Sequence, residues 1–212
     1  MEWSKDISAK AILVSYFCGM NDNLRSKILH ALSWSFLQAI GMRGVQFIIG
    51  LILARLLLPA HFGLIAMLMI FVAVANSFCD SGFGAALIQK RNVTHLDECS
   101  IFYFNIVVGM IAAGLLCLTA PWISDFYKQP ILKSLTRALS LVIVINSFGL
   151  IQDTIFTKQL NFKVQTKAIL IANSMSGIIG VTLAATGFGV WSLVVQQVSS
   201  SLFKTILLWF FS

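Results

Sequence analysis

Six runs of roughly twenty mostly apolar residues follow one another along this chain, at 34–54, 64–84, 101–120, 138–156, 168–187 and 190–211. A helix needs about 20 such residues to cross the ~30 Å of hydrocarbon in a bilayer. In lipid, every backbone N–H and C=O must find its partner within the chain, so a run of this kind crosses as a helix. Composition agrees: of 212 residues, 58% are hydrophobic and 11% charged, against roughly 25% charged in a soluble domain. So little charge cannot cover a water-facing surface. The expected fold class is all-α, a polytopic transmembrane helical bundle of about six helices.

Turn formers and charges separate the runs. Pro59, His61 and Gly63 divide the first two, and Lys90 through Glu98 the next pair. The segments 121–137 and 158–167 read as loops, and Phe188-Gly189 reads as a tight hairpin. Lysine and arginine gather on cytoplasmic segments of membrane proteins. With the N-terminus inside, Lys5, Lys10, Arg25, Lys27, Lys90, Arg91, Lys158, Lys163 and Lys167 face the cytoplasm, against Arg55, Lys128, Lys133 and Arg137 outside. This bias places both termini in the cytoplasm. It also accounts for most of the net charge of +7, so no nucleic-acid partner is expected.

Residues 1–33 read as a cytoplasmic leader. Within it, Lys5 and Lys10 followed by 11–18 resemble the start of a signal peptide, but no small-residue cleavage site follows. Met20 opens a polar stretch that suits a leader by itself, and residues 1–19 are read as a spurious extension.

Polar residues within the runs are the candidates for function. Arg43 lies near the middle of the first, where a cation costs at least about 2.5–3.5 kcal/mol. Ser35, Gln38 and Gln46 fall with it in one sector of about 140° around a helix. Such a face points at a cavity or another helix. One reading makes Arg43, Gln38 and Gln46 a site for a phosphate or sugar acid; the other is an interhelical pair or a snorkelling side chain. Asn76, Asn105, Asn146, Asn173, Gln196 and Gln197 suit sugar hydroxyls or bonds between helices. Asp80 and Asp153 lie near cytoplasmic ends and are expected to reach water, with ion coupling as the alternative. Lys204 is expected to snorkel to the cytoplasmic interface. In the fifth run Ala172, Ser176, Gly180 and Ala184 form a stripe of small residues that lets two helices approach closely.

Catalysis finds no footing in this pattern. The sequence has no G-x-S-x-G, H-E-x-x-H or P-loop. Its cysteines (Cys18, Cys79, Cys99, Cys117) and histidines (His30, His61, His95) lack metal-ligand spacing. No enzyme activity, metal or cofactor is expected.

Several short stretches, in shared order over about 180 residues, carry a family likeness. They include Leu53-Ala54-Arg55-Leu56 with Pro59 and Phe62-Gly63, then Asp80-Ser81-Gly82-Phe83-Gly84, then Phe102-Tyr103-Phe104-Asn105. Ala120-Pro121-Trp122-Ile123, Lys158-Gln159-Leu160-Asn161-Phe162-Lys163 and Gly187-Phe188-Gly189-Val190-Trp191-Ser192 complete the set. The chain resembles the polysaccharide transporter branch of the multidrug/oligosaccharidyl-lipid/polysaccharide exporter superfamily, with colanic-acid or teichuronic-acid exporter-like character. The resemblance implies a flippase of the bacterial cytoplasmic (inner) membrane, with undecaprenyl-pyrophosphate-linked oligosaccharide and membrane lipids as partners. It also implies alternating access between two bundles, with Arg43 as the position best placed to hold the anion. Family members have twelve to fourteen helices, so this chain is expected to be one half: truncated, or completed by a second bundle or another copy of itself. The alternatives are a drug or lipid exporter of the same superfamily, or a non-transporting partner in a glycan-assembly complex. N-terminal sequencing of the expressed protein is expected to begin at Met20; a product that retains residues 1–19 overturns that start site.

Overall fold

The computed structural model describes residues 41, 43–79, 95–158 and 162–211. The described residues are helical apart from short turns. Residues 43–56 form α1, followed by α2 (Pro59–Cys79), α3 (His95–Phe126), α4 (Ile131–Lys158), α5 (Phe162–Ala185) and α6 (Val190–Phe210). Five of these six, α2 to α6, are long and apolar enough to cross a membrane. The first expected span, 34–54, lies partly outside the described residues, as do the 1–33 leader, Met20, Ser35, Gln38 and Asp80. The chain divides after Arg43, and Gly44–Ser212 is one unit.

Local chemistry sets the breaks. Pro59 is the first residue of α2, where its missing N–H would have no helical partner anyway, and it disfavours helix at Leu58 before it. Pro121 does not end α3, which runs on to Phe126. One proline removes a single backbone bond, a loss that a long membrane helix tolerates. The expected 121–137 loop is therefore a turn at Tyr127–Pro130, and Lys133 and Arg137 stand on the first turns of α4. Likewise the 158–167 loop shrinks, because α5 starts at Phe162.

Two of the described connections close in the same way. After α5, Gly187 takes a positive φ of 86° and the Phe188 N–H bonds the Leu183 carbonyl at 3.2 Å. After α3, Lys128 takes a φ of 53° and the Gln129 N–H bonds the Ser124 carbonyl at 3.1 Å. Each uses a left-handed residue to satisfy carbonyls that a helix end leaves open. Glycine does this freely; lysine does it under strain.

α4 is the hub, packed against α2, α3, α5 and α6. It is the most deeply buried of the five spans. Its hydroxyls reach that interior by bonding their own helix: Thr136 to the Leu132 carbonyl, Ser147 to Ile143 and Thr154 to Leu150, at 2.7–2.8 Å. Close packing uses small residues. A Cβ at Gly109 would overlap the Ser147 hydroxyl, and one at Gly180 would lie 2.9 Å from Gln196 Cβ. The stripe Ala172, Ser176, Gly180 and Ala184 is buried along its whole length, with Gly180 against α6. Large side chains such as Phe78, Leu118 and Ile178 point outward, fully two-thirds exposed, as lipid-facing residues should.

Aromatic residues mark the two ends of the bundle. Trp191 and Trp209 lie about 27 Å apart along α6, and Tyr103 and Trp122 about 28 Å apart along α3, at ~1.5 Å per residue. Those spacings match the hydrocarbon thickness, and tryptophan and tyrosine favour its two boundaries. Replacing Lys128 by glycine is expected to stabilise the chain by about 0.5–1 kcal/mol by removing left-handed strain. Thermal unfolding in detergent measures this; a lower unfolding temperature for Lys128→Gly would refute the strain.

Candidate functional site

Polar side chains collect near one end of the bundle, the end that carries Lys158, Lys163 and Lys167. α4 and α6 are separated by α5, so they run in the same sense and lie side by side. Gly149 makes the contact close: a Cβ there would stand 2.8 Å from Thr205 Oγ1. Thr205 Oγ1 donates to the Ile145 carbonyl at 3.2 Å, and Trp209 Nε1 to the Phe148 carbonyl at 3.1 Å. Phe102 of α3 packs edge-on against both Phe148 and Trp209. These contacts fix the register of α6 on α4.

That register brings two charges together. Lys204 Nζ lies 3.0 Å from Asp153 Oδ2. Both side chains are about one-third exposed, at 35% and 32%. The carboxylate is also held from the third helix, α5. Gln165 Nε2 donates to Asp153 Oδ1 at 2.9 Å, to the Asp153 carbonyl at 2.8 Å and to Thr157 Oγ1 at 2.9 Å. Thr157 Oγ1 in turn donates to that same carbonyl at 2.7 Å. One oxygen of Asp153 thus faces the lysine and the other an amide. The Lys204 backbone stands about 7–8 Å from Trp209 along the helix, so the pair lies near this end of the bundle.

The pair borders a cavity of about 310 Å³ lined by Asn76, Asn146, Gly149, Leu150, Asp153, Lys204 and Thr205. At ~30 Å³ per water, it has room for a phosphate group or one sugar, and is too small for a whole oligosaccharide. A larger crevice of about 540 Å³ runs between α2 and α3, among Ile70, Val74, Phe78, Val108, Ile111 and Leu115. It offers almost no polar group, so it suits a hydrocarbon tail and not a sugar or an anion.

Lys204 and Asp153 are each expected to reach outward from their own helix; each is about one-third exposed, and the two side chains also pair with one another. The reason is geometric: α4 and α6 are parallel neighbours, and the two side chains approach the same depth from adjacent helices. Sequence reading missed Gln165 because it lay in an expected loop. A signal for the pair existed. Opposite charges stood in two separate runs, each about one and a half turns from the same end of the bundle.

Of the other expected site residues, Arg43 is helical and exposed. Gln46 is also helical and exposed and does not line the cavity. Gln38 lies outside the described residues. Asn76 and Asn146 do line the cavity, while Asn173 Oδ1 accepts from Ser200 Oγ at 2.9 Å, a bond between α5 and α6. Asn105 is 1% exposed with neither amide atom bonded, and the buried Gln152 Oε1 is likewise unbonded. Gln152 adjoins Asp153 in sequence, and Asn105 stands about one turn from Gly109, where α3 meets Ser147 of α4. Both therefore belong to the same polar end.

Comparison with known proteins adds to this geometry. Residues 52–212 match the family described as "Polysaccharide biosynthesis protein". The succinoglycan biosynthesis transport protein ExoT of Rhizobium meliloti is 30% identical over 81% of this chain and 35% of its own length. The lipopolysaccharide biosynthesis protein WzxC of Escherichia coli is 26% identical over 70% of this chain and 31% of its own. The teichuronic acid biosynthesis protein TuaB of Bacillus subtilis is 30% identical over 64% of this chain and 28% of its own. The chain spans about a third of the length of these relatives. No solved structure matches it.

The ion pair makes a thermodynamic prediction. Asp153→Asn or Lys204→Gln alone leaves one charge unpaired among membrane helices. Each is expected to lower stability by about 1–2 kcal/mol, between the values for exposed and buried pairs. The double variant should lose about 1 kcal/mol less than the sum of the two. Strictly additive losses in detergent unfolding would mean that the pair contributes nothing.

Proposed function

This chain belongs to the polysaccharide biosynthesis protein family, and we propose that it moves undecaprenyl-pyrophosphate-linked oligosaccharide or polysaccharide precursors across the bacterial cytoplasmic membrane. The observation that carries this reading is a charged, amide-lined cavity enclosed by membrane helices. Ionisable groups within membrane spans are costly, and they mark the paths of substrates and ions. The chain is a multi-pass membrane protein, and its curated relatives are named for polysaccharide biosynthesis or transport. The role proposed is transport, not catalysis.

In this reading the N-terminus is cytoplasmic, by the placement of lysine and arginine, and the end with Lys158, Lys163 and Lys167 faces the cytoplasm. The polar cavity then lies nearer the leaflet from which a precursor is loaded. The 310 Å³ cavity takes its phosphate or first sugar, and the lipid tail remains in the bilayer. Arg43, with Gln38 and Gln46, is proposed as a second anion-contacting face on the first helix. The bundle works against an opposing one, supplied either by a longer chain or by another copy, since alternating access needs two bodies that rock about the site.

Complementation of a flippase-deficient strain tests the proposal. Expressed with the C-terminal half of a full-length relative, the chain should restore surface polysaccharide. Arg43→Ala should reduce that recovery about tenfold, corresponding to the loss of ~1.4 kcal/mol of anion binding. No recovery by the wild-type chain, in a strain that a full-length relative does rescue, would overturn the transport reading.

A further inference from the structure

Lys204 is the strongest candidate for a direct contact with an anionic ligand, yet it is already occupied by Asp153. We infer that the pair is an exchange site: Lys204 passes from Asp153 to a phosphate-bearing anion in the adjoining cavity, and Asp153 takes up a proton as it does so. This inference rests on the transport reading and assigns the ligand class and the coupling of that same site.

Three observations support it. Lys204 and Asp153 both line the cavity, so the ammonium can turn from the carboxylate to an occupant without leaving its helix. Each side chain is about one-third exposed, which leaves the pair within reach of solvent and ligand. The rest of the lining is neutral, from Asn76 of α2, Asn146 and Gly149 of α4 and Thr205 of α6. Lys204 is thus the only cation among the described lining residues.

Charge balance then dictates the proton. The resting pair is neutral overall. Adding an anion alone would leave the cavity with a net negative charge within the membrane, which is strongly disfavoured at low dielectric. A monoanionic phosphate is balanced by one proton taken up from bulk solvent on the carboxylate: the lysine keeps its own proton and pairs with the anion, and Asp153 becomes a neutral acid. For a phosphate monoester past its second ionisation, or pyrophosphate, that proton offsets one unit of the charge. Gln165 can follow this change. Its amide donates to Oδ1 while the carboxyl is charged, and a protonated carboxyl still offers that acceptor. Charged groups of both signs stand at this end of the bundle: Lys158 on α4 and the exposed Lys163 and Lys167 on α5, and His95, Asp97 and Glu98 in the first turn of α3, while α2 presents only the neutral Asn76 among its described residues.

The test uses the 212-residue chain in phosphatidylcholine nanodiscs, as wild type, Asp153→Asn and Lys204→Gln. One arm adds inorganic pyrophosphate in solution, and the other builds polyprenyl phosphate into the disc. Anion affinity and the infrared C=O stretch of a protonated carboxylic acid are read together. In wild type, ligand should bring up the protonated-acid band, and affinity should rise as pH falls. Asp153→Asn should lack the band and bind about fivefold more tightly at neutral pH, because its lysine has lost a competitor. Lys204→Gln should bind at least tenfold more weakly. The gain in Asp153→Asn cannot arise from misfolding, so it guards against a Lys204→Gln protein that merely fails to fold. A response in the polyprenyl arm alone identifies a lipid-borne ligand, and one in the pyrophosphate arm alone a soluble one; either supports the exchange. Equal affinities in all three proteins, no protonated-acid band in either arm, or weaker binding in Lys204→Gln with Asp153→Asn unchanged would overturn it. If the exchange fails while the chain still rescues surface polysaccharide, the transport reading stands without it.

Discussion

Hydrocarbon offers no hydrogen bonds, and the organisation of this bundle follows from that. Backbone groups are satisfied within helices, so each apolar run can fold only one way, and what remains is the disposition of side chains. On α4 the hydroxyls of Thr136, Ser147 and Thr154 bond back to their own helix, which allows the most buried span to carry polar residues. Between helices no water is released on contact, so association depends on close approach and shared polar bonds. Gly109 against Ser147, Gly149 against Thr205 and Gly180 against Gln196 supply the approach. Ser200 with Asn173 and Thr205 with Ile145 supply the bonds.

Asp153 and Lys204 stand apart from this self-sufficiency. Neither is satisfied by its own helix, and their pairing needs α4, α5 and α6 at once. A pair of this kind is a weak source of stability, because desolvation offsets much of its attraction. Its presence beside a cavity is better explained by use. A neutral pair can be held in the membrane at modest cost and becomes reactive to charge when an anion and a proton arrive together.

Much of the architecture was legible in the sequence, and the reasons are physical. Membrane thickness fixes a length of apolar run, so the number and order of the helices could be read directly. The small-residue stripe of α5 and the hairpin at Phe188-Gly189 were legible because close packing and left-handed turns demand particular residue types. Pro121 misled, since in a membrane helix one lost backbone bond is not a stop signal. Lys204 and Gln165 misled for another reason: each was judged by its own segment, and their partners lie on other helices.

What the sequence by itself determined is therefore the solvent, the class and the span pattern: a lipid-embedded, all-helical, multi-pass chain with a lysine-rich end. Those properties depend on composition and on distances measured along one helix. Only the tertiary structure decided that the carboxylate of α4 meets the lysine of α6 over a small polar cavity, with an amide of α5 behind it. The reason is that depth in the membrane is set by position along each helix, but which helices are neighbours is set by the fit of small residues between them. Residues 51 positions apart are brought to 3.0 Å by that fit.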